Sequence, residues 1–192
     1  MKAGISLASL FVVLLVGALS AGAPATPRPV LASQASPAAS PAADGESFEL
    51  AGLIELPGRL TITDLQMLPV ETIDATFEID GTEQTHSYTG VRLWDVLARA
   101  TPRVDPERNG DQLRKYVVLT ANDGYEVVIS LGEIDPAFGG QPYLLAWEED
   151  GAALTGDKGP IQLVTPGDET SGRHIWGIVK IELRDVDSPP RI

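Results

Sequence analysis

From Phe48 onward, apolar and polar residues alternate with a period of two through most of the chain, the spacing of half-buried strands. "FELAGLIEL" runs from Phe48 to Leu56, ends at the turn Pro57-Gly58, and continues as "RLTI". Thr63 is placed to cap a short helix in "DLQMLPV", whose apolar residues share one face. "TIDATFEID" alternates through Ile73, Ala75, Phe77 and Ile79; a tight Asp-Gly-Thr turn then leads into "EQTHSYTGV", which predicts a hairpin. In "VRLWDVLARA", Leu93, Val96, Leu97 and Ala100 fall on one side, the pattern of an amphipathic helix. A polar loop follows, then a second hairpin, "KYVVLTANDGYEVVISL", turning at Asn122-Asp123-Gly124. "YLLAWEEDG", "IQLVTPG" and "IWGIVKIELRDV" supply three more strands. Many strands in hairpins with few short helices predict an α+β class of mixed, mainly antiparallel sheets. Neither an internal repeat nor a heptad pattern is present.

Before Phe48 the pattern is of another kind. Lys2 precedes an apolar run from Ile5 to Leu19, and the small residues Ala18, Ser20, Ala21 and Ala23 lie at its end and just beyond it. This predicts a secretory signal peptide over residues 1–23, or an uncleaved N-terminal anchor, since the run from Ala3 to Ala23 nearly spans a bilayer. No arginine pair precedes the run, so the expected route is general secretory export to the periplasm, the cell envelope or the medium. Residues 24–47 are rich in Ala, Pro and Ser and too poor in large apolar groups to fold, which predicts a disordered linker. The folded domain is expected over residues 48–187, with a tail over 188–192.

Charge and cysteine content remove several classes of function. With 27 acidic against 14 basic residues the formal charge is −13, and the basic residues are scattered, so nucleic acid is excluded as a partner. The chain has no cysteine. It therefore has neither a disulfide framework nor a thiolate for catalysis or soft-metal ligation.

Candidate chemistry is sparse. His86 and His174 are the only histidines, and with Asp123 they offer a possible zinc, copper or iron site; without a spacing signal they read as surface or hydrogen-bonded structural residues. Asp123 in "NDG" reads as a turn former, and Tyr125 as either a cleft or a core residue. No glycine cluster has phosphate-loop spacing, and Ser87, Ser130 and Ser171 lack a nucleophile setting. Trp94, Trp147 and Trp176 read as core anchors. The loop "GDETSGRH", from Gly167 to His174, either holds an anion at Arg173 or only joins two strands.

Six stretches, "LTITDLQMLP", "YTGVRLWDVLARA", "VVLTANDGYEVVISLGEI", "YLLAWEEDGAAL", "KGPIQLVTPGD" and "GIVKIEL", resemble in order and spacing the molybdopterin-binding domain of sulfite oxidase-like oxidoreductases. The resemblance implies a mixed α+β fold with a cofactor cleft, and cofactor or ligand contacts at Arg173, His174, Gly172, Gln162, Asp123 and Tyr125. It also exposes departures. Catalytic relatives carry a molybdenum-ligating cysteine near the segment matching Ala75–Asp80, which here has none; Gln162 stands in place of an arginine and Trp176 in place of a lysine. The expectation is a degenerate, non-catalytic domain binding a small anionic ligand or an envelope protein partner in the former cofactor cleft. The alternative is a molybdopterin-dependent oxidoreductase with non-cysteine metal ligation.

Overall fold

The computed structural model describes residues 47–188 apart from Asp80. The predicted signal peptide or anchor, nearly all of the predicted linker, and residues 189–192 lie outside the described residues. Ser47, read as linker, is the first residue of a strand and is buried.

Strands β1 (Ser47–Gly52) and β2 (Gly58–Thr61) pair antiparallel and lead into a single helical turn, α1 (Ile62–Leu65). Its cap is Thr61 and not Thr63. The Thr61 Oγ1 accepts from the Asp64 amide, and the Asp64 carboxylate accepts in return from the Thr61 amide, a reciprocal capping box. Strands β3 (Val70–Ile79) and β4 (Thr82–Arg92) form the predicted hairpin, in register from Val70↔Val91 to Ile79↔Thr82. Helix α2 (Leu93–Ala100) buries Leu93, Val96, Leu97 and Ala100, the side its periodicity marked.

The second half adds β5 (Lys115–Ala121), β6 (Glu126–Ser130), the turn α3 (Leu131–Ile134), β7 (Leu144–Glu149), β8 (Ala152–Ala153), β9 (Gln162–Val164) and β10 (Ile178–Asp185). One five-stranded sheet runs β2-β1-β10-β5-β6, and the other runs β3-β4-β7-β8 with β9 also on β7. Among the described strand pairs only β1 with β10 is parallel, joining the two ends of the domain through Glu49↔Lys180 to Gly52↔Leu183.

The main core fills the space between α2 and the facing sides of both sheets, with Val117, Leu119, Ile129, Leu145, Leu163, Ile181 and Leu183 at its centre. A smaller cluster occupies the opposite face of the second sheet: Ala75, Phe77, Tyr88, Leu144, Ala146 and Val164. Alternation along β7 and β9 makes both possible. Leu145 and its partner Leu163 point to the main core, while Leu144 and Val164 point to the smaller cluster. At the margin, the buried Lys115 ammonium lies 2.7 Å from Asp111 and 3.1 Å from Asp185, so its charge is offset by two carboxylates.

Strand β4 needs a glycine where it meets β7. A Cβ on Gly90 would lie 2.2 Å from the Leu145 carbonyl oxygen, whereas one on Gly58 would meet nothing. Urea unfolding should therefore show Gly90→Ala losing about 1–3 kcal/mol through overpacking, and Gly58→Ala staying within about 0.5 kcal/mol of the parent.

Candidate functional site

The segment from Thr165 to Gly177 returns alongside β9 and carries the residues singled out above. Its end is fixed by backbone pairing: Leu163 N donates to Ile175 O, Ile178 N donates to Ile161 O, and Gln162 faces Trp176 across a bridge. Ile175 joins Leu163 in the main core. By the same alternation, His174 and Trp176 turn to the opposite face, where Gln162 also lies.

There the imidazole of His174 is enclosed by aromatic rings. Its centroid is 4.6 Å from Phe77, 5.3 Å from Tyr88 and 5.8 Å from Trp176. His174 Nε2 is buried with no hydrogen-bond partner among the described residues, and so is Gln162 Nε2. Burial pushes the His174 pKa down to about 4, against the opposing pull of Glu149 and with reinforcement from Lys158 and His86. The ring is therefore uncharged at neutral pH.

Arg173, the expected anion contact, turns toward protein carboxylates. Its Nε and Nη2 donate to the two oxygens of Asp168 at 2.8 and 2.6 Å, and its Nη1 donates to Glu133 at 3.0 Å. Nη2 also donates to the Tyr143 hydroxyl at 2.9 Å, and the guanidinium carbon sits 5.2 Å from the centre of that ring. Tyr143 in turn donates to Glu133; burial and that acceptor push its pKa up to about 12. Hydrogen bonding to Arg173 holds the Asp168 carboxyl below the usual range. Two carboxylates surround one guanidinium, so the group as a whole carries no excess positive charge.

The turn between β5 and β6 closes the other side. Asp123 Oδ1 accepts from the Tyr125 amide at 2.8 Å, and Gly124 takes the left-handed backbone (φ 86°) that such a turn requires. Tyr125 then reaches across to donate its hydroxyl to the Gly172 carbonyl at 2.9 Å. Asp123, Tyr125, Ser171, Gly172, His174 and Trp176 line a cleft of ≈ 250 Å³.

Of the residues singled out from sequence, Asp123, Tyr125, Gly172 and His174 thus come together, while Gln162 is buried in the opposite-face layer and Arg173 is turned aside into its ion pairs. Asp123 is the turn former that its setting suggested. His86 is hydrogen-bonded to Asp150, Nδ1 to Oδ2 at 2.7 Å, and does not join His174 and Asp123. Among the described residues no three His, Asp or Glu side chains are grouped to hold a metal. Trp147 is a core residue, but Trp176, read as an anchor, is 42% exposed on the cleft wall. The partners of Arg173 were missed. Asp168, five positions away, was a local signal, but Glu133 and Tyr143 approach only through the fold.

His174 gives this arrangement a pH signature. A buried imidazole whose pKa is depressed stabilises the fold above its unfolded value of about 6.5, and that stability is lost as pH falls toward about 4. Urea midpoints should fall between pH 7 and pH 4 by the equivalent of up to about 3 kcal/mol, and His174→Leu should flatten that part of the profile. An unchanged profile in the variant would contradict the assignment.

Comparison with known proteins agrees with this architecture. A search of curated proteins returns no match. Among solved structures, the chain is similar to the sulfane dehydrogenase SoxCD from Paracoccus pantotrophus, with TM-score 0.59 and 21% sequence identity. That match covers 77% of this chain and 41% of the SoxCD chain, so this chain spans less than half of the relative's length. At such identity the likeness concerns the fold. The sequence itself matches the family described as oxidoreductase molybdopterin binding domain over residues 37–191, and with four-fifths of its length inside that match the chain belongs to this family.

Proposed function

We propose that this chain is an exported, non-catalytic member of its family, in which the cleft beside Trp176 takes a small molecule in place of the molybdenum cofactor. The observation that carries the reading is the state of Arg173. A molybdopterin phosphate needs cationic donors, and the Arg173 guanidinium is already bonded to Asp168, Glu133 and Tyr143. Nor does the chain contain the thiolate that a soft metal centre prefers. At the position of the family arginine stands Gln162, whose buried Nε2 has no hydrogen-bond partner among the described residues. The residues present do not fit the cofactor.

Size supports a small molecule over a protein partner. A cleft of ≈ 250 Å³ lies just below the range of about 300–1,000 Å³ typical of ligand pockets, room for a ligand of one ring or a compact head group. The anionic ligand expected from Arg173 loses its attraction once that charge is offset. Export rests on the apolar run from Ile5 to Leu19 and the small residues after it.

Elemental mass spectrometry and pterin fluorescence after oxidation test the reading directly, on protein purified from its native envelope. Both should stay at background. Molybdenum and pterin near one per chain would overturn it and establish an oxidoreductase whose metal is held without cysteine.

A further inference from the structure

We infer that the cleft beside Trp176 is a site for a small organic cation, an alkylated or quaternary ammonium group. This rests on the reading above, that the cleft serves a small molecule and not the family cofactor.

Two aromatic side chains that would ordinarily be covered stand open on the cleft wall: Tyr125 is 53% and Trp176 42% exposed. Tyr125 is moreover held in place at both ends, by the Asp123 carboxylate on its amide and by Gly172 on its hydroxyl. The negative face of such a ring attracts cations, and the attraction suits ammonium groups too bulky to be well hydrated. One ammonium already uses Trp176, the Lys158 Nζ at 5.7 Å from the ring centre, and Glu149 offsets its charge at 3.2 Å.

The charges around the cleft have the matching sign. Asp123 forms no ion pair among the described residues, and its carboxylate lines the cleft next to the exposed Tyr125. The positive charges that would repel a cation are cancelled: Arg173 by Asp168 and Glu133, Lys158 by Glu149. Enclosed in its aromatic cage, the His174 imidazole adds no charge at neutral pH. What remains is an aromatic wall, one ring of which is shared with Lys158, beside the Asp123 carboxylate, whose Oδ1 also accepts from the Tyr125 amide.

The test follows the Trp176 indole and Tyr125 amide signals by NMR while choline, its uncharged isostere with a tert-butyl group, and inorganic phosphate are added in turn. Choline should shift both signals to saturation, with the isostere at least about tenfold weaker. Asp123→Asn should weaken choline about threefold to tenfold. Trp176→Leu should abolish the response, and Trp176→Phe, which keeps a ring, should retain part of it. Equal binding of choline and the isostere would overturn the inference in favour of an apolar slot, and saturation by phosphate would overturn it in favour of an anion site. A cofactor-free protein whose cleft ignores choline defeats this inference alone; molybdenum and pterin in the purified protein defeat the reading beneath it.

Discussion

The hydrogen-bonded enclosure of Arg173 is the interaction on which the site depends. Its guanidinium joins three separated parts of the chain: Asp168 on the returning segment, Glu133 in α3 and Tyr143 just before β7. It thereby anchors the segment that carries His174 and Trp176. It also sets the electrostatics, because two carboxylates around one cation leave nothing to attract a phosphate. Removing either carboxylate would loosen the segment, and removing both would uncover the positive charge.

Packing does the rest of the positioning. Pairing of β9 with β7 and with the residues around Ile175 sends alternate side chains to opposite faces. Leu163 and Ile175 are bound into the main core, and their neighbours Gln162, His174 and Trp176 are thereby committed to the other side. The cleft residues are thus held by main-core burial one position away, which is how a short loop becomes a defined wall. The turn at Asp123 completes it, with a Tyr125 hydroxyl spanning the gap to Gly172.

Much of this was legible in sequence because it is local. Period-two runs marked both hairpins, and the spacing of Leu93, Val96, Leu97 and Ala100 marked the buried side of α2. The six stretches quoted above carry the family resemblance by sequence alone. Long-range placement was not legible. The parallel pairing of β1 with β10 joins the ends of the domain, and no pattern in either strand announces it. The cap on α1 lies two residues before the expected Thr63, because Thr61 and Thr63 are both suitable residues and only the reach of Asp64 back to Thr61 decides between them. Arg173 looked like a free cation for the same reason: charge is visible in a sequence, whereas its neutralisation by Glu133, 40 residues away, is not.

Membership of a cofactor-binding family and the chemistry of this particular cleft therefore point in different directions, and the charge state around Arg173 separates them. The most direct measurement is side-chain NMR of the Arg173 Nε–H in the intact protein during titration with inorganic phosphate. A resonance that stays in place, because the group is already bonded to Asp168, is the result predicted here. A saturable shift would show a guanidinium free to bind anions and would contradict the account.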